Sequence, residues 1–402
     1  MPDWRDRLVG LVRPGDWVVW GQGPGAPAGL VECLLEERHR IGGFTTFSGY
    51  AFGLRLDPSY ADVVRFTALG AFGDLRVLAR AGVLDVVPAH MSDLPGLMAT
   101  GRIRSDVVLV QVAPARAGAY SLGTAVQHLP TAIEHARVVV AEVNDQMPET
   151  SGYRLPVERV DFAVEVSRPL AEIPRQEPSD TVLAIARRVA ELVPAHASLQ
   201  LGVGSLPDSV LHGLHGRSDL GLHTGLVTDA VVDLVEATDS GFLELPVVTG
   251  AGFGTRRLYD WLASYPGVEV AGLDRTHDHA MLAAVPRLVS VNSALEVDLT
   301  GQVGAESVDG RTRGAVGGQV DYVRAANASP GGVSVIALPS TKPSGGSTIV
   351  RSLSGPVTTP RSDVRYVVTE HGVADLWGRT EAERAQQMAA VAHPDHRAEL
   401  VR

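Results

Sequence analysis

The sequence predicts an α/β protein with largely parallel sheets. Glycine-rich turns recur between short apolar runs and helix-length amphipathic runs, which is the pattern of βα units around a parallel sheet. Val107–Val112 (VVLVQV) and Val138–Val143 (VVVAEV) are short, β-branched and largely apolar, as strands buried on both faces are. The length of 402 residues allows two or three domains, each with its own core.

The N-terminal part begins with a predicted strand at Trp17–Trp20, followed by a glycine turn, a proline and a helix. This helix carries Cys33, the only cysteine of the chain, in the run LVECLLEER. A single cysteine excludes an internal disulfide and argues against a cysteine-based zinc site. Because Cys33 lies on the apolar side of the helix, we expect it to pack in the core.

A domain boundary is predicted near residues 167–180, where SRPLAEIPRQEPSD combines three prolines with mixed charges. We therefore expect one domain over residues 1–175 and a second over 176–402. A helix follows the boundary, with Ser179 or Asp180 as its N-cap and Pro194 at its end. Its apolar residues share one face: Val182, Ile185, Ala186, Val189, Leu192 and Val193.

The next segment is a predicted strand with Leu199 and Leu201, which runs into Gly202 and Gly204. Pro207 then suits the first turn of a helix, where a missing N–H costs nothing. Two glycines let backbone N–H groups approach a ligand, and the helix N-terminus favours negative charge. The alternative is a tight turn that binds nothing. The N-terminal part shows the same order of strand, glycine turn, proline and helix, which is a weak sign of internal duplication.

Composition excludes several classes of protein. The net charge of −11 argues against nonspecific nucleic-acid binding. The apolar share of 45% and the charged share of 20% are typical of a globular protein. No apolar run is long enough to span a bilayer, and the N-terminal MPDWRDRLVG lacks the features of a signal peptide. We expect a cytoplasmic protein without a membrane partner.

Leu220–Asp233 (LGLHTGLVTDAVVD) closely resembles a signature of the acetyl-CoA hydrolase and CoA-transferase family. Further blocks resemble the family in its own order: Ser121–Gly123, Ala141–Gly152, Gln200–Asp208, Val291–Gln302, Ala315–Arg324, Ala337–Thr341 and Asp363–Gly378. The resemblance implies two CoA-transferase-like (NagB/RpiA-type) α/β domains with largely parallel sheets, and a coenzyme A site mainly on the second. It also implies a dimer or a higher oligomer.

The resemblance assigns residues to coenzyme A, which would be a substrate. The turn formed by Leu201, Gly202, Val203, Gly204 and Ser205 would contact it. The thioester and the pantetheine arm would be lined by a second group: Leu295, Gly317 and Gly318. The two adjacent glycines would let main-chain N–H groups reach a developing oxyanion. The alternative for these glycines is a bulge or a turn.

The nucleophile of the family is missing. In the family, the residue after His-Thr is a glutamate that attacks the acyl-CoA thioester and later carries CoA as a glutamyl thioester. This chain has Gly225 there, so its catalytic residue is unknown. Weak candidates are His223 as a base and Glu296 or Glu370, for which burial with backbone hydrogen bonds is the alternative. We expect the lost side chain to leave space for a water or a small carboxylate.

Two functions of different class follow. The first is a CoA-transferase or hydrolase that acts on a short acyl-CoA and on small carboxylic acids such as acetate. The second is a CoA-binding regulatory subunit, or the partner of an intact paralogue that supplies the glutamate. No metal is expected: we assign the histidine pairs His212 with His215 and His277 with His279 to the surface, because no cysteine or regularly spaced carboxylate joins them.

Overall fold

The computed structural model describes residues 3–308 and 310–401. Its helices are, in chain order, α1 (Trp4–Leu11), α2 (Ala28–Glu36), α3 (Arg38–Ile41), α4 (Leu75–Arg80), α5 (Leu94–Ala99), α6 (Leu129–Glu134), α7 (Asp180–Glu191), α8 (Ser205–His212), α9 (Asp229–Glu236), α10 (Arg256–Ser264), α11 (Leu273–Thr276), α12 (His279–Ala283), α13 (Gln319–Ala328), α14 (Glu381–Val391) and α15 (Pro394–Val401).

The strands are, in the same order, β1 (Trp17–Trp20), β2 (Phe44–Ser48), β3 (Val64–Ala68), β4 (Leu84–Val86), β5 (Val107–Val112), β6 (Ala119–Ser121), β7 (Val138–Asn144), β8 (Arg154–Pro156), β9 (Phe162–Val166), β10 (Ser198–Leu201), β11 (Gly221–Thr224), β12 (Val247–Thr249), β13 (Val268–Val270), β14 (Leu288–Asn292), β15 (Glu296–Asp298), β16 (Val303–Gly304), β17 (Ser307–Val308), β18 (Arg311–Thr312), β19 (Val333–Ala337), β20 (Ile349–Val350), β21 (Tyr366–Thr369) and β22 (Gly372–Asp375).

The chain forms two compact units. The first contains the residues up to 173 together with 250–275, and the second contains 174–249 together with the residues from 276 onward. The chain therefore leaves the second unit once and returns to it. The division into domains after residue 175 stays a prediction.

The first unit is built around a sheet of seven parallel strands in the order β4-β3-β2-β1-β5-β7-β9. All six residues of β5 are buried, as its apolar sequence predicts. Cys33 lies in α2 and is buried in the apolar core of this unit, which confirms the packing role expected for it. Burial also raises the pKa of its thiol.

In the second unit, seven strands follow the order β12-β11-β10-β14-β19-β21-β22. They are parallel except for β22, which runs antiparallel to β21. In both sheets the first strand lies in the interior. On one side of it are β2, β3 and β4 in the first sheet and β11 and β12 in the second, and the later strands lie on the other side. The predicted α/β fold with largely parallel sheets is confirmed.

Helix ends follow from capping and from tertiary contacts. At α7, the Ser179 hydroxyl accepts a hydrogen bond from the Val182 N–H, so Ser179 is the N-cap rather than Asp180. After Gly225, helix α9 begins only at Asp229. The reason is that Thr228 has an extended backbone, and its hydroxyl donates to Asp208 of α8 at 2.6 Å.

Asp229, in the first turn of α9, is buried. Among the described residues, no helix is long and apolar enough to cross a membrane.

Candidate functional site

The segments predicted to contact coenzyme A lie at the carboxyl end of the second sheet, where its strand order reverses. β10 is flanked by β11 on one side and by β14 on the other. Gly202 follows β10, Gly225 follows β11, and Leu295 lies three residues beyond the end of β14. Ligands of open parallel sheets bind outside the carboxyl ends of the strands at such a reversal. The fold thus brings these three segments to one edge of the sheet.

Thr224 ties the ends of the two central strands together. Its hydroxyl donates to the Leu201 carbonyl at 3.0 Å and lies 3.3 Å from the Leu201 N–H. Thr224 is fully buried and is the last residue of β11. This contact fixes the turn after Leu201 relative to Gly225, the next residue along the chain.

The turn from β10 into α8 requires glycine at one position. Gly204 is the N-cap of α8 and has a φ of +124°, a backbone conformation that side chains rarely allow. A Cβ at Gly204 or at Gly202 would have no neighbour within 4 Å, so both residues border open space. Val203 between them is 40% exposed. An accessible backbone at a helix N-terminus suits an anionic ligand.

Gly225 does not face empty space. A Cβ built on it would lie 2.9 Å from Cε1 and 3.1 Å from Nε2 of His277. The expectation that the missing side chain leaves room for a water or a small carboxylate is therefore wrong on this side of the residue. The imidazole ring lies so close that a Cβ at residue 225 would require the ring or the backbone to shift.

Gly318 packs on the same ring. A Cβ at Gly318 would lie 2.6 Å from Nε2 of His277, so only glycine leaves room for the imidazole at this position. Gly318 is the N-cap of α13, and Gly317 before it has a φ of +58° with no neighbour within 4 Å of a Cβ. The need for glycine at residue 318 is thus a packing need. Gly317 combines a left-handed backbone with open surroundings.

His277 was predicted to be a surface residue, and this prediction is wrong. Its side chain is only 3% exposed, whereas His279, His212 and His215 are exposed as expected. The segment around His277 consists of the four-residue α11 and the five-residue α12, which are too short to show which side faces the core. Within residues 3–308 and 310–401, no group of three or more His, Cys, Asp or Glu side chains could hold a metal ion.

The His277 ring is fixed by Thr276 and Tyr322. Its Nδ1 lies 2.9 Å from the Thr276 hydroxyl, and its ring meets the Tyr322 ring edge to face at 4.9 Å between centroids. The Tyr322 hydroxyl donates to the Thr276 carbonyl at 2.6 Å. This leaves Nε2 directed toward Gly225 and Gly318, and no hydrogen bond to Nε2 is found among the residues that the structure describes.

The electrostatics of the cluster keep the imidazole neutral. Burial and, to a smaller extent, the nearby His223 lower the pKa of His277 to about 3. Burial also raises the pKa of Tyr322 well above its usual value. His223 itself is buried on β11. Both ring nitrogens of a neutral imidazole can take part in hydrogen bonds, one as donor and one as acceptor.

Glu296 is a buried carboxylate with a complete set of partners. The only lysine of the chain, Lys342, donates to it at 2.5 Å, and Ser354 donates its hydroxyl at 2.8 Å and its backbone N–H at 3.1 Å. Burial alone raises the pKa of Glu296, but the bonds from Lys342 and Ser354 outweigh it and lower the pKa below its usual value. These contacts favour a supporting role.

Glu370 is also held by the protein. Its two carboxylate oxygens accept hydrogen bonds from the backbone N–H of Ser340 at 2.9 Å and from the Ser340 hydroxyl at 2.5 Å. His371 lies 3.6 Å from the same carboxylate. Asp208, in the first turn of α8, has its pKa raised by burial despite the hydrogen bond from Thr228. None of these acids projects from residue 225.

Comparison with known proteins decides the family. The acetyl-CoA hydrolase/transferase N-terminal domain matches residues 5–173, and the C-terminal domain of the same family matches residues 254–402. The chain belongs to the acetyl-CoA hydrolase/transferase family. The resemblance inferred from the sequence blocks is thereby confirmed, and it covers both units of the structure.

Individual relatives agree with this family assignment. The chain is 34% identical to a 4-hydroxybutyrate coenzyme A transferase from Clostridium kluyveri over 98% of this chain and 95% of that protein. It is 30% identical to a butyryl-CoA:acetate CoA-transferase from Anaerostipes caccae over 99% and 94%. Among solved structures, RipA from Yersinia pestis is similar with a TM-score of 0.92 and 31% identity, covering 99% of this chain and 95% of that one.

Proposed function

We propose that the protein binds coenzyme A or a short acyl-CoA along the carboxyl edge of the second sheet. The turn Leu201–Ser205 would contact the cofactor, and Leu295, Gly317 and Gly318 would line the thioester and the pantetheine arm. Support comes from the open backbone at Gly202 and Gly204, and from the position of this edge at the reversal of strand order.

The chemistry we propose is cleavage of a short acyl-CoA thioester without a glutamyl intermediate at residue 225. The observation that carries this proposal is the position of the His277 ring, which packs against Gly225 and blocks a side chain there. The acyl group would pass to water, as in a hydrolase, or to a small carboxylate such as acetate, as in a transferase. The family and its relatives support both reactions at the level of class.

His223 is the proposed base in this scheme, because it precedes Gly225 by two residues and lies close enough to lower the pKa of His277. Glu296 and Glu370 would act only by shaping the site, since their oxygens already accept hydrogen bonds from Lys342, Ser354 and Ser340. The proposed thioester cleavage uses no metal ion.

The test is the release of free CoA thiol from acetyl-CoA by the purified protein, with and without added acetate. Hydrolysis gives thiol release that does not depend on acetate. Transfer is followed separately, as isotope exchange between labelled acetate and acetyl-CoA. A correctly folded protein that releases no thiol and shows no exchange would contradict the enzymatic proposal.

A second candidate is a CoA-binding partner subunit, favoured by the loss of the glutamate at Gly225. Such a subunit would assemble with a paralogue that retains His-Thr-Glu, whereas the enzymatic proposal fits a homodimer or a higher homo-oligomer. Purification from its native cells discriminates the two: the partner proposal expects an equimolar paralogue and binding of coenzyme A without turnover. A homo-oligomer that turns over acetyl-CoA contradicts it.

A further inference from the structure

The position of the His277 ring suggests more than filling of space. From the Cβ position of residue 225, the Nε2 atom is 3.1 Å away. This is close to the distance at which a glutamate side chain carries its carboxylate oxygens beyond its own Cβ. Nε2 thus lies about as far from the Cβ position of residue 225 as the reactive oxygen of the family's glutamate would, and it also borders Gly318.

We propose that His277 is the catalytic nucleophile of this protein, in place of the missing glutamate; the inference rests on the thioester cleavage proposed above. Nε2 attacks the acyl carbonyl carbon of the bound acyl-CoA. The new C–N bond forms as the C–S bond breaks, and CoA leaves as the thiolate. The acyl-imidazolium gives its Nδ1 proton to that thiolate, directly or through the Thr276 hydroxyl.

The cycle closes with water. Water attacks the acyl carbon of the neutral acyl-imidazole, the C–N bond breaks, and the imidazole regains a proton from that water. The net change is acyl-CoA plus water to the carboxylic acid plus CoA. A small carboxylate could take the place of water. The first product is then a mixed anhydride, the imidazole takes its proton back from the CoA thiol, and the resulting CoA thiolate cleaves the anhydride.

The surroundings of the ring leave Nε2 in the form that a nucleophile needs. Attack through Nε2 requires the proton on Nδ1, and Nδ1 faces the Thr276 hydroxyl, which can accept it. Thr276 is in turn held by the Tyr322 hydroxyl at its carbonyl. The depressed pKa keeps the imidazole unprotonated at neutral pH, so the Nε2 lone pair is available. Thr276 and Tyr322 are positioning residues in this scheme.

The experiment compares His277→Ala and His277→Gln with His279→Ala, a matched change at an exposed histidine two residues away. Thiol release from acetyl-CoA is measured with CoA binding by calorimetry and the unfolding midpoint as checks of folding. We expect a loss of about a hundredfold or more in kcat for both changes at His277, with CoA binding retained, and no loss for His279→Ala. Added imidazole should restore at least part of the activity of His277→Ala.

A second readout separates a nucleophile from a structural role. Wild type treated with labelled acetyl-CoA and then with hydroxylamine should yield acetyl hydroxamate, while His277→Gln should yield none above background. Wild-type activity that survives in both folded variants would overturn the role of His277 and leave the proposed function standing. A gain of activity in His277→Ala on addition of formate, without rescue by imidazole, would show that the ring is only an obstacle. Absence of thiol release in wild type would overturn the proposed function itself.

Discussion

The contact between Gly225 and His277 gives the most direct test of the site, because two side chains cannot share that space. A Cβ at residue 225 would approach the imidazole to 2.9 Å, well inside the 3.5–4.0 Å of an ordinary carbon contact. The ring is buried and held at Thr276 and Tyr322, so it has little freedom to move aside. Gly225→Ala should therefore lower the free energy of unfolding by about 1–3 kcal/mol through overpacking.

The loss of stability caused by Gly225→Ala should vanish when the His277 ring is removed. In the His277→Ala background, Gly225→Ala should cost little, which gives a coupling of roughly 1–3 kcal/mol between the two positions. Urea unfolding of the four proteins in this cycle measures the coupling. Gly202→Ala is the matched control, since a Cβ there meets nothing within 4 Å and the backbone is not left-handed. Equal stabilities of Gly225→Ala and Gly202→Ala, with no coupling to His277→Ala, would refute the packing argument.

The same pair decides whether the family's reaction can be restored. Gly225→Glu alone should show little acetate-dependent CoA transfer, because its carboxylate must displace the ring. Gly225→Glu with His277→Ala should gain transfer on the order of a hundredfold over the single variant, since positioning of the nucleophile accounts for much of the barrier reduction. Isotope exchange between labelled acetate and acetyl-CoA is the assay. Equal exchange in the single and double variants would show that the ring does not obstruct a glutamate.

Further predictions concern binding, covalent chemistry and pH. Gly204→Val should weaken binding of coenzyme A about tenfold or more in calorimetry, because φ is +124° there and the new side chain would border the ligand; unchanged binding in a folded variant would contradict the assignment of this turn. Borohydride trapping with acetyl-CoA should leave the peptide Leu220–Asp233 unmodified in mass spectrometry, and a modified Glu296 would instead show that the nucleophile has moved there. Lys342→Met should lower the free energy of unfolding by roughly 1–3 kcal/mol above pH 5. Because the folded pKa of Glu296 is lowered, the stability that this carboxylate contributes is present above its unfolded pKa of about 4.3 and is lost below it. The difference in unfolding free energy between Lys342→Met and wild type, measured by urea titration, should therefore become smaller below that pH. Because the folded pKa of His277 is lowered to about 3, wild type should lose stability between about pH 6.5 and 3, and His277→Gln should lose less over that range.

Local patterns in the sequence were sufficient for the elements that are long or strongly punctuated. β5 and α7 were predicted because a short run rich in valine and a helical apolar face are local signals. The turn at Gly202–Gly204 was predicted because glycine marks the change from strand to helix. The start of α9 was not, since it depends on a hydrogen bond from Thr228 to a residue twenty positions away.

Two features of the structure had no such signal. The excursion of residues 250–275 into the first unit is a property of tertiary packing, which periodicity does not report. The burial of His277 follows from a segment whose helices are too short to define a face. Lys342 is different, because the sequence shows that it is the only lysine in a chain with 34 arginines. The structure explains this lysine by its ion pair with the buried Glu296.

The positions around residue 225 must be interpreted as a set rather than one at a time. Loss of a buried side chain alone leaves a cavity, which costs stability in proportion to its volume. Here the volume next to Gly225 holds the ring of His277, and that ring also requires glycine at residue 318. A buried imidazole is costly unless its polar atoms are used, and Nδ1 is used by Thr276 while Nε2 faces the two glycines. The arrangement is therefore that of a rebuilt site rather than an emptied one, which is why we expect its chemistry at His277 and not at residue 225.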